Sequence, residues 1–227
     1  MSMPSHKLAI YDMDRTITIR GTYTPFLLHV AARMAPWRLI FAPLVVLAML
    51  AYVTKLIRRK TLKEINQRLM IGGRVSRARL NPHIESYADA VMANNARAGA
   101  LARIAQDKAE GYTLVLATAS YRLYVDAIAR RLGFDAVIAT DHLGQDLDYV
   151  RARIAGDNCY DAAKLRMITD WMASQGITRE AAYIRAYSDH VSDAPMLEFA
   201  DEAYAANPHK PLAELAGEKG WPRVDWG

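Results

Sequence analysis

Five short apolar runs constrain this chain more than any other feature. Lys7–Tyr11, Tyr112–Ala117, Ala136–Thr140, Ala182–Tyr187 and Ala203–Ala206 are too short for core helices and are bounded by polar residues, so they read as buried strands. Between them lie segments of helical spacing that stop at glycines: Leu101–Glu110 before Gly111, Tyr121–Leu132 before Gly133 and Asp161–Ser174 before Gly176. Tyr149–Ile154 alternates enough for a peripheral strand or hairpin arm. Strands alternating with helices predict an α/β domain with a mostly parallel sheet. The segment from Arg20 to Arg97 breaks the alternation: it has no strand pattern and reads as helices inserted after the first strand.

In an open sheet of this kind, ligands bind beyond the carboxyl ends of the strands. Asp12 and Asp14 lie just past the first run, Thr118 and Ser120 past the second, Asp189 and Asp193 past the fourth, and Lys164 near the start of the helix after the hairpin. One rim thus collects carboxylates, hydroxyls and an ammonium. Clustered carboxylates repel unless a cation sits among them, and hard oxygen donors select Mg²⁺. A carboxylate can attack phosphorus when a metal, a lysine and hydrogen-bond donors neutralise the phosphoryl oxygens. A second carboxyl can protonate the leaving oxygen and then deprotonate water.

These motifs resemble those of the haloacid dehalogenase-like phosphohydrolases, in the branch that includes phosphoserine phosphatase. Asp12, Asp14 and Thr16 match an Asp-x-Asp-x-Thr after a strand; Thr118 matches the Ser/Thr that ends a strand; Lys164 matches the lysine at a helix start; Asp189 and Asp193 match an Asp-x-x-x-Asp. The tail "ANPHKPLAELAGEKGW" also looks like this branch, where Asn-Pro follows the last strand. The resemblance implies a Rossmann-like core of mostly parallel sheet (residues 1–19 and 100–227) and a helical cap inserted after the first strand (residues 20–99). It implies Asp12 as nucleophile and Mg²⁺ ligand, Asp14 as acid and base with its backbone carbonyl on the metal, and Asp189 on the metal. Thr118, the Ala119 backbone and Lys164 would hold phosphate oxygens, with Asp193 and Thr16 in support. Neighbouring negative groups and partial burial are expected to keep a proton on Asp14 near neutral pH. Two residues depart from the usual pattern, Ser188 where glycine is common and His190 where Ser or Gly is common; His190 is expected to make loop contacts. Arg15 also replaces a common glycine, and a structural role is expected of it. Cys159, the single cysteine, excludes an internal disulfide framework and reads as a small buried residue.

The net charge of +5 hides an asymmetry. Arg20 to Leu80 carries twelve Lys/Arg against one acid, Glu64, while the rest of the chain is net acidic. Such a block faces anions: a membrane, a nucleic acid or a phosphorylated substrate. Leu39–Val53 has no charged side chain and no polar face, unlike an amphipathic surface helix; it is shorter than a spanning helix needs. It therefore reads as a buried cap helix, a dimer contact or an element dipping into one leaflet. Arg33 and Arg38 on one side, Lys55, Arg58, Arg59, Lys60 and Lys63 on the other, and Trp37 and Tyr52 at the edges favour an anionic membrane surface reached through residues 37–63. In cap character the chain is similar to the phosphatidylglycerophosphatase C type and to bacterial cell-cycle-linked members of the family.

The leading expectation is a Mg²⁺-dependent phosphomonoesterase acting through an aspartyl-phosphate on a lipid or membrane-associated phosphate such as phosphatidylglycerophosphate. The alternatives are a phosphatase for small soluble metabolites, such as phosphoserine or a sugar phosphate, and a binding module for membrane or nucleic acid that uses the basic cap. The carboxylates at the rim disfavour nucleic acid there. The short polar N-terminus shows no secretory signal, so the expected location is the cytoplasm, with peripheral contact at the inner face of the cytoplasmic membrane.

Overall fold

The computed structural model describes residues 5–142 and 148–227; the reading of the extreme N-terminus falls partly on residues 1–4, outside them. Nine strands are described: β1 His6–Tyr11, β2 Arg74–Ser76, β3 Thr113–Tyr121, β4 Ala136–His142, β5 Tyr149–Arg151, β6 Ile154–Ala155, β7 Ala182–Ser188, β8 Glu202–Ala206 and β9 Arg223–Val224. The helices are α1 Tyr23–Met34, α2 Ala42–Val53, α3 Arg59–Met70, α4 Arg77–Asn94, α5 Ala98–Ala109, α6 Arg122–Leu132, α7 Ala162–Ser174, α8 Ala194–Phe199 and α9 Lys210–Lys219.

The main sheet has seven strands in the order β6-β4-β3-β1-β7-β8-β9. Every pairing is parallel except that of β4 with β6, so the fold is α/β with a mostly parallel sheet and a Rossmann-like core. β1 explains why the strands read as continuous apolar runs. Its Leu8 and Ile10 join a core with α7, α8 and α9 residues, and its Ala9 and Tyr11 join a core with residues of α1, α4, α5 and α6; all four are fully buried. Both faces of a parallel sheet are covered. The order reverses at β1, with β3 and β4 to one side and β7 and β8 to the other. That reversal opens a crevice beyond the strand ends, where ligands bind.

Two readings of the sequence need correction, and one open alternative falls away. The span from Arg20 to Arg97 is not free of strand: Arg74–Ser76 pairs antiparallel with Tyr149–Arg151. Tyr149–Ile154 is not one arm, because its first half makes that pair and Ile154 begins β6, which pairs with β4. Three-residue strands give too little alternation to be recognised locally; their partner lies about 75 positions away in the chain. The apolar stretch is also not buried in the cap. Pro36–Phe41 forms a tight 3₁₀ turn and α2 follows it. Val45 and Ala48 face inward, whereas Ile40, Leu44, Val46, Leu47, Leu50 and Val53 are exposed.

Cap and core meet where α3 crosses the end of β4. His142 is buried there, with Nε2 donating to Gln67 Oε1 at 2.8 Å and its ring 4.3 Å from that of Tyr121. Burial lowers its pKa from 6.5 to about 4. The unfolded chain therefore takes up this proton first as the pH falls, so the contribution is complete above about pH 6.5 and is lost toward pH 4. Carboxyls raised by burial act in the opposite sense over the same window, so the His142 contribution is read by difference: urea unfolding of His142→Gln is expected to lose less stability than the wild-type protein between pH 7 and pH 4.5, by at most about 1.4 kcal/mol per pH unit.

Candidate active site

The chain leaves β1 through a turn that ties the strand tip to its neighbours. The Asp12 amide donates to the Tyr187 carbonyl at 2.9 Å. Arg15 then takes φ +66°, a left-handed conformation that costs a non-glycine residue about 1–2 kcal/mol. Its amide donates to Thr18 Oγ1 at 3.1 Å, and the Thr18 amide and hydroxyl both donate to the Met13 carbonyl. These bonds hold the reversal closed. The Arg15 backbone thus does what glycine would do more easily, while its exposed side chain borders the cavity above.

Beneath the turn, Lys164 Nζ donates to Asp12 Oδ1 at 2.8 Å and to Asp193 Oδ2 at 2.7 Å. Lys164 stands in the first turn of α7, whose start is fixed by Asp161 accepting from the Ala162 amide. Thr16 Oγ1 lies 3.3 Å from both Asp12 Oδ2 and Asp189 Oδ1 and accepts from the Asp189 amide at 3.0 Å. Ser188 donates to Asp193 Oδ2 at 2.7 Å, so the residue that replaces glycine supports the cluster. Burial pushes the Asp12 carboxyl up to about 8; Lys164 pulls it down and Asp193 and Asp189 push it up. Burial, then Asp193, pushes Asp189 up to about 6. Against burial, Asp12 and Asp193 hold the Lys164 ammonium in its charged form.

Asp14 faces the other way from this cluster. It is half-buried; Oδ1 accepts from the Thr22 amide and hydroxyl, each at 2.7 Å, and Oδ2 accepts from Ser120 Oγ at 2.5 Å. Thr118 and Ser120 do not lie past the strand, as read from the sequence: β3 runs on to Tyr121. Its pairing with β4 breaks there, however, stepping from Thr118↔Ala139 to Tyr121↔Thr140. The backbone of Ala119 and Ser120 is released from the ladder, Ala119 lines the cavity, and Ser120 N donates to Thr118 Oγ1 at 3.1 Å.

The structure brings Asp12, Asp14, Thr118, Ala119, Lys164, Asp189 and Asp193 around one cavity of about 510 Å³, with Thr16 beneath Asp12 and Asp189. It adds residues the motifs did not mark. Thr22 orients Asp14, and Arg59 stacks on Tyr160 at 4.2 Å with both lining the cavity. The charge block was the only trace of Arg59. Four of the seven basic residues read as membrane flanks turn inward. Besides Arg59, Arg38 donates to the carbonyls of Arg68 and Leu69, Lys60 donates to that of Gly156, and Lys63 is buried. Arg33, Lys55 and Arg58 remain exposed. His190 makes loop contacts, with Nδ1 2.8 Å from Ser192 Oγ and its ring stacked on His209 at 4.2 Å. Cys159 is buried, and burial raises its thiol to about 12.

A hard divalent cation fits these donors. Three carboxylates are buried here, Asp12, Asp189 and Asp193; one ammonium pairs with the first and the last, and Asp193 Oδ1 is buried without a hydrogen-bond partner. Mg²⁺ takes one or two carboxylates and keeps several waters, which Asp12 and Asp189 could supply; among the described residues no three His, Cys, Asp or Glu side chains are grouped so as to hold a metal ion by themselves.

The model of the haloacid dehalogenase-like hydrolases matches residues 9–198. A probable phosphatase of Mycobacterium tuberculosis is 36% identical over 119 residues, which are 52% of this chain and 40% of that protein; the chain thus spans about two fifths of that relative's length. A protein of unknown function from Bordetella pertussis Tohama I shares the fold with a TM-score of 0.89 at 24% identity, covering 98% of this chain and all of that one. A phosphoserine phosphatase in a phospho-aspartyl intermediate analogue form shares it with a TM-score of 0.59 at 18% identity, covering 92% and 90%.

Lys164→Met is expected to leave Asp12 and Asp193 facing each other without a counter-charge. Denaturant unfolding should show a loss of about 3–5 kcal/mol at pH 8, and a smaller loss at pH 5, where the carboxyls take up protons.

Proposed function

The chain belongs to the haloacid dehalogenase-like hydrolase family, and from that premise we propose that it is a Mg²⁺-dependent phosphomonoesterase that works through an aspartyl-phosphate on a lipid-borne or membrane-held phosphate. The observation that carries the chemistry is the buried Asp12–Lys164–Asp193 chain beside Asp189 and Thr118. An oxygen of Asp12 attacks phosphorus, the ester P–O bond breaks, and the leaving alkoxide takes a proton from Asp14. Water then attacks the phosphorus and gives a proton to Asp14; the bond to Asp12 breaks and inorganic phosphate leaves. Lys164 keeps Asp12 ionised for the attack, and the Thr118 hydroxyl and Ala119 amide hold phosphoryl oxygens. Thr22 and Ser120 orient Asp14, and the Ser120 hydroxyl can accept as well as donate, so both protonation states keep a partner. Asp12, Asp189 and the Asp14 carbonyl would hold Mg²⁺, which when bound neutralises charge on the phosphoryl group.

The exposed face of the cap supports a lipid substrate. Pro36–Val53 is long and apolar enough, by length and composition only, to cross a membrane, and almost none of it is buried. Trp37 is 62% exposed, Ile40 75%, Val53 73% and Leu56 79%. Arg33, Lys55 and Arg58 are exposed near this face, and each is worth about 1 kcal/mol beside an anionic surface. α2 leads within six residues to Arg59 on the cavity wall. Docking through this face would hold the cavity near the headgroups, at the inner surface of the cytoplasmic membrane. Arg15 and Arg59 at the rim equally suit a small soluble anion, which makes a soluble phosphate ester the second reading.

Turnover with Mg²⁺ is compared on phosphatidylglycerophosphate in mixed micelles, phosphoserine and p-nitrophenyl phosphate. The lipid ester is expected to give the highest kcat/KM, and the protein to sediment with phosphatidylglycerol vesicles less well as salt rises. Highest activity on the soluble esters with no vesicle binding would sink the lipid reading. Asp12→Asn is expected to abolish turnover. Burial favours a proton on Asp12 and Lys164 opposes it; a bound Mg²⁺ would add to the effect of Lys164, so calorimetric titration of Mg²⁺ in buffers of different ionisation enthalpy is expected to show proton release that grows as the pH falls below 7 and is smaller in Asp12→Asn.

A further inference from the structure

Among the described residues two lysines are buried, Lys63 and Lys164. Lys164 lies between two carboxylates. Lys63, on cap helix α3, has only neutral acceptors: its Nζ donates to the Ala119 carbonyl at 2.5 Å and to Asn158 Oδ1 at 2.6 Å, near the rings of Tyr121 and Tyr23 at 5.4 and 5.8 Å. Burial, then Arg59, lowers its pKa to about 7. Neutral acceptors return less of the desolvation cost of an ammonium than an ion pair would, and an apolar side chain of the same length would be the more stable occupant. What the ammonium does hold is one particular carbonyl.

That carbonyl belongs to the peptide between Ala119 and Ser120, in the stretch where the β3–β4 ladder breaks. Strand pairing does not fix the plane of this peptide; two side chains do, Lys63 from the cap and Thr140, whose Oγ1 donates to the same oxygen at 2.8 Å. The other end of the peptide is the Ser120 amide, which donates to Thr118 Oγ1. With that lone pair occupied, the Thr118 proton is free to point at a phosphate oxygen. The Ser120 side chain donates to Asp14. One peptide plane thus orients both the phosphate-binding hydroxyl and the second carboxyl.

We propose that Lys63 is a positioning residue that acts from the cap: by gripping the Ala119 carbonyl it sets the phosphate-binding turn, so that the turn is correctly formed only when α3 is seated on the core. The inference rests on the phosphatase reading above for its kinetic consequence but not for its geometry. Lys63→Met keeps the stem and removes the donor; Lys63→Arg keeps a donor. With p-nitrophenyl phosphate and Mg²⁺, Lys63→Met is expected to lower kcat on the order of 10²-fold, the cost of a misplaced reacting group. KM should change far less, orthovanadate inhibition should weaken in step with kcat, and the thermal midpoint should hold or rise. Lys63→Arg should restore most of the loss. The Ser120 amide resonance should move in Lys63→Met, a readout that needs no turnover. If Lys63→Met does not fold, Thr140→Val removes the other donor to the same oxygen and is expected to move the same resonance and lower kcat in the same sense. Wild-type kcat and vanadate affinity per folded molecule in these variants, or an unmoved Ser120 amide, overturns the proposal. A wild-type protein that hydrolyses no phosphate ester would count against the phosphatase reading alone, since the amide measurement still decides the role of Lys63.

Discussion

The buried Lys164 ammonium, shared by Asp12 and Asp193, is the charge around which the rest of the site is arranged. Removing an ammonium and two carboxylates from water costs several kcal/mol per ion, and only close geometry with further hydrogen bonds returns it. Three separate elements must therefore end at one point: β1 delivers Asp12, the turn after β7 delivers Asp193, and the first turn of α7 delivers the lysine. The remaining bonds of the cluster, from Thr16 and Ser188, are what make that convergence tolerable. The excess of negative charge that stays is what a cation would neutralise.

The strand tips are held from behind as well. Tyr11 and Tyr187, which directly precede Asp12 and Ser188, both donate to Asp107 Oδ2 at 2.5 and 2.8 Å, and Arg185 pairs with Asp107 Oδ1 at 2.9 Å. Their rings stack at 4.3 Å. A carboxylate buried under the sheet thus clamps the two central strands a residue away from Asp12 and Ser188. Rigid support of this kind suits a reaction that depends on positioning.

The cap divides its basic charge between two tasks. Residues on α3 turn toward the core, where Lys63 grips a carbonyl and Arg59 borders the cavity. Arg33, Lys55 and Arg58 stay outside with the apolar face of α2. A count of charge along the chain sees one block; burial separates it. The same holds for Leu39–Val53, whose composition is equally compatible with a core helix. Only one side of α2, with Val45, Ala48 and Met49, packs against the rest of the protein, which leaves the other side exposed.

The sequence by itself determined the architecture and the set of polar groups that meets on one rim. Apolar runs buried on both faces announce a parallel sheet without any knowledge of partners, and carboxylates or hydroxyls at their ends must fall on one rim because all five runs point the same way. Glycine stops fixed the helix ends because a left-handed residue is needed there, as at Gly133 and Gly176. Only the tertiary structure decided which hydrogen bonds orient those groups. Thr22 on Asp14, Ser188 on Asp193 and Lys63 on Ala119 join residues from different elements, and no local pattern encodes such a meeting. The short β2–β5 pair and the break in the β3–β4 ladder were hidden for the same reason: each is set by a partner distant in the chain. Side-chain chemistry is written residue by residue, whereas its direction depends on what the fold brings beside it.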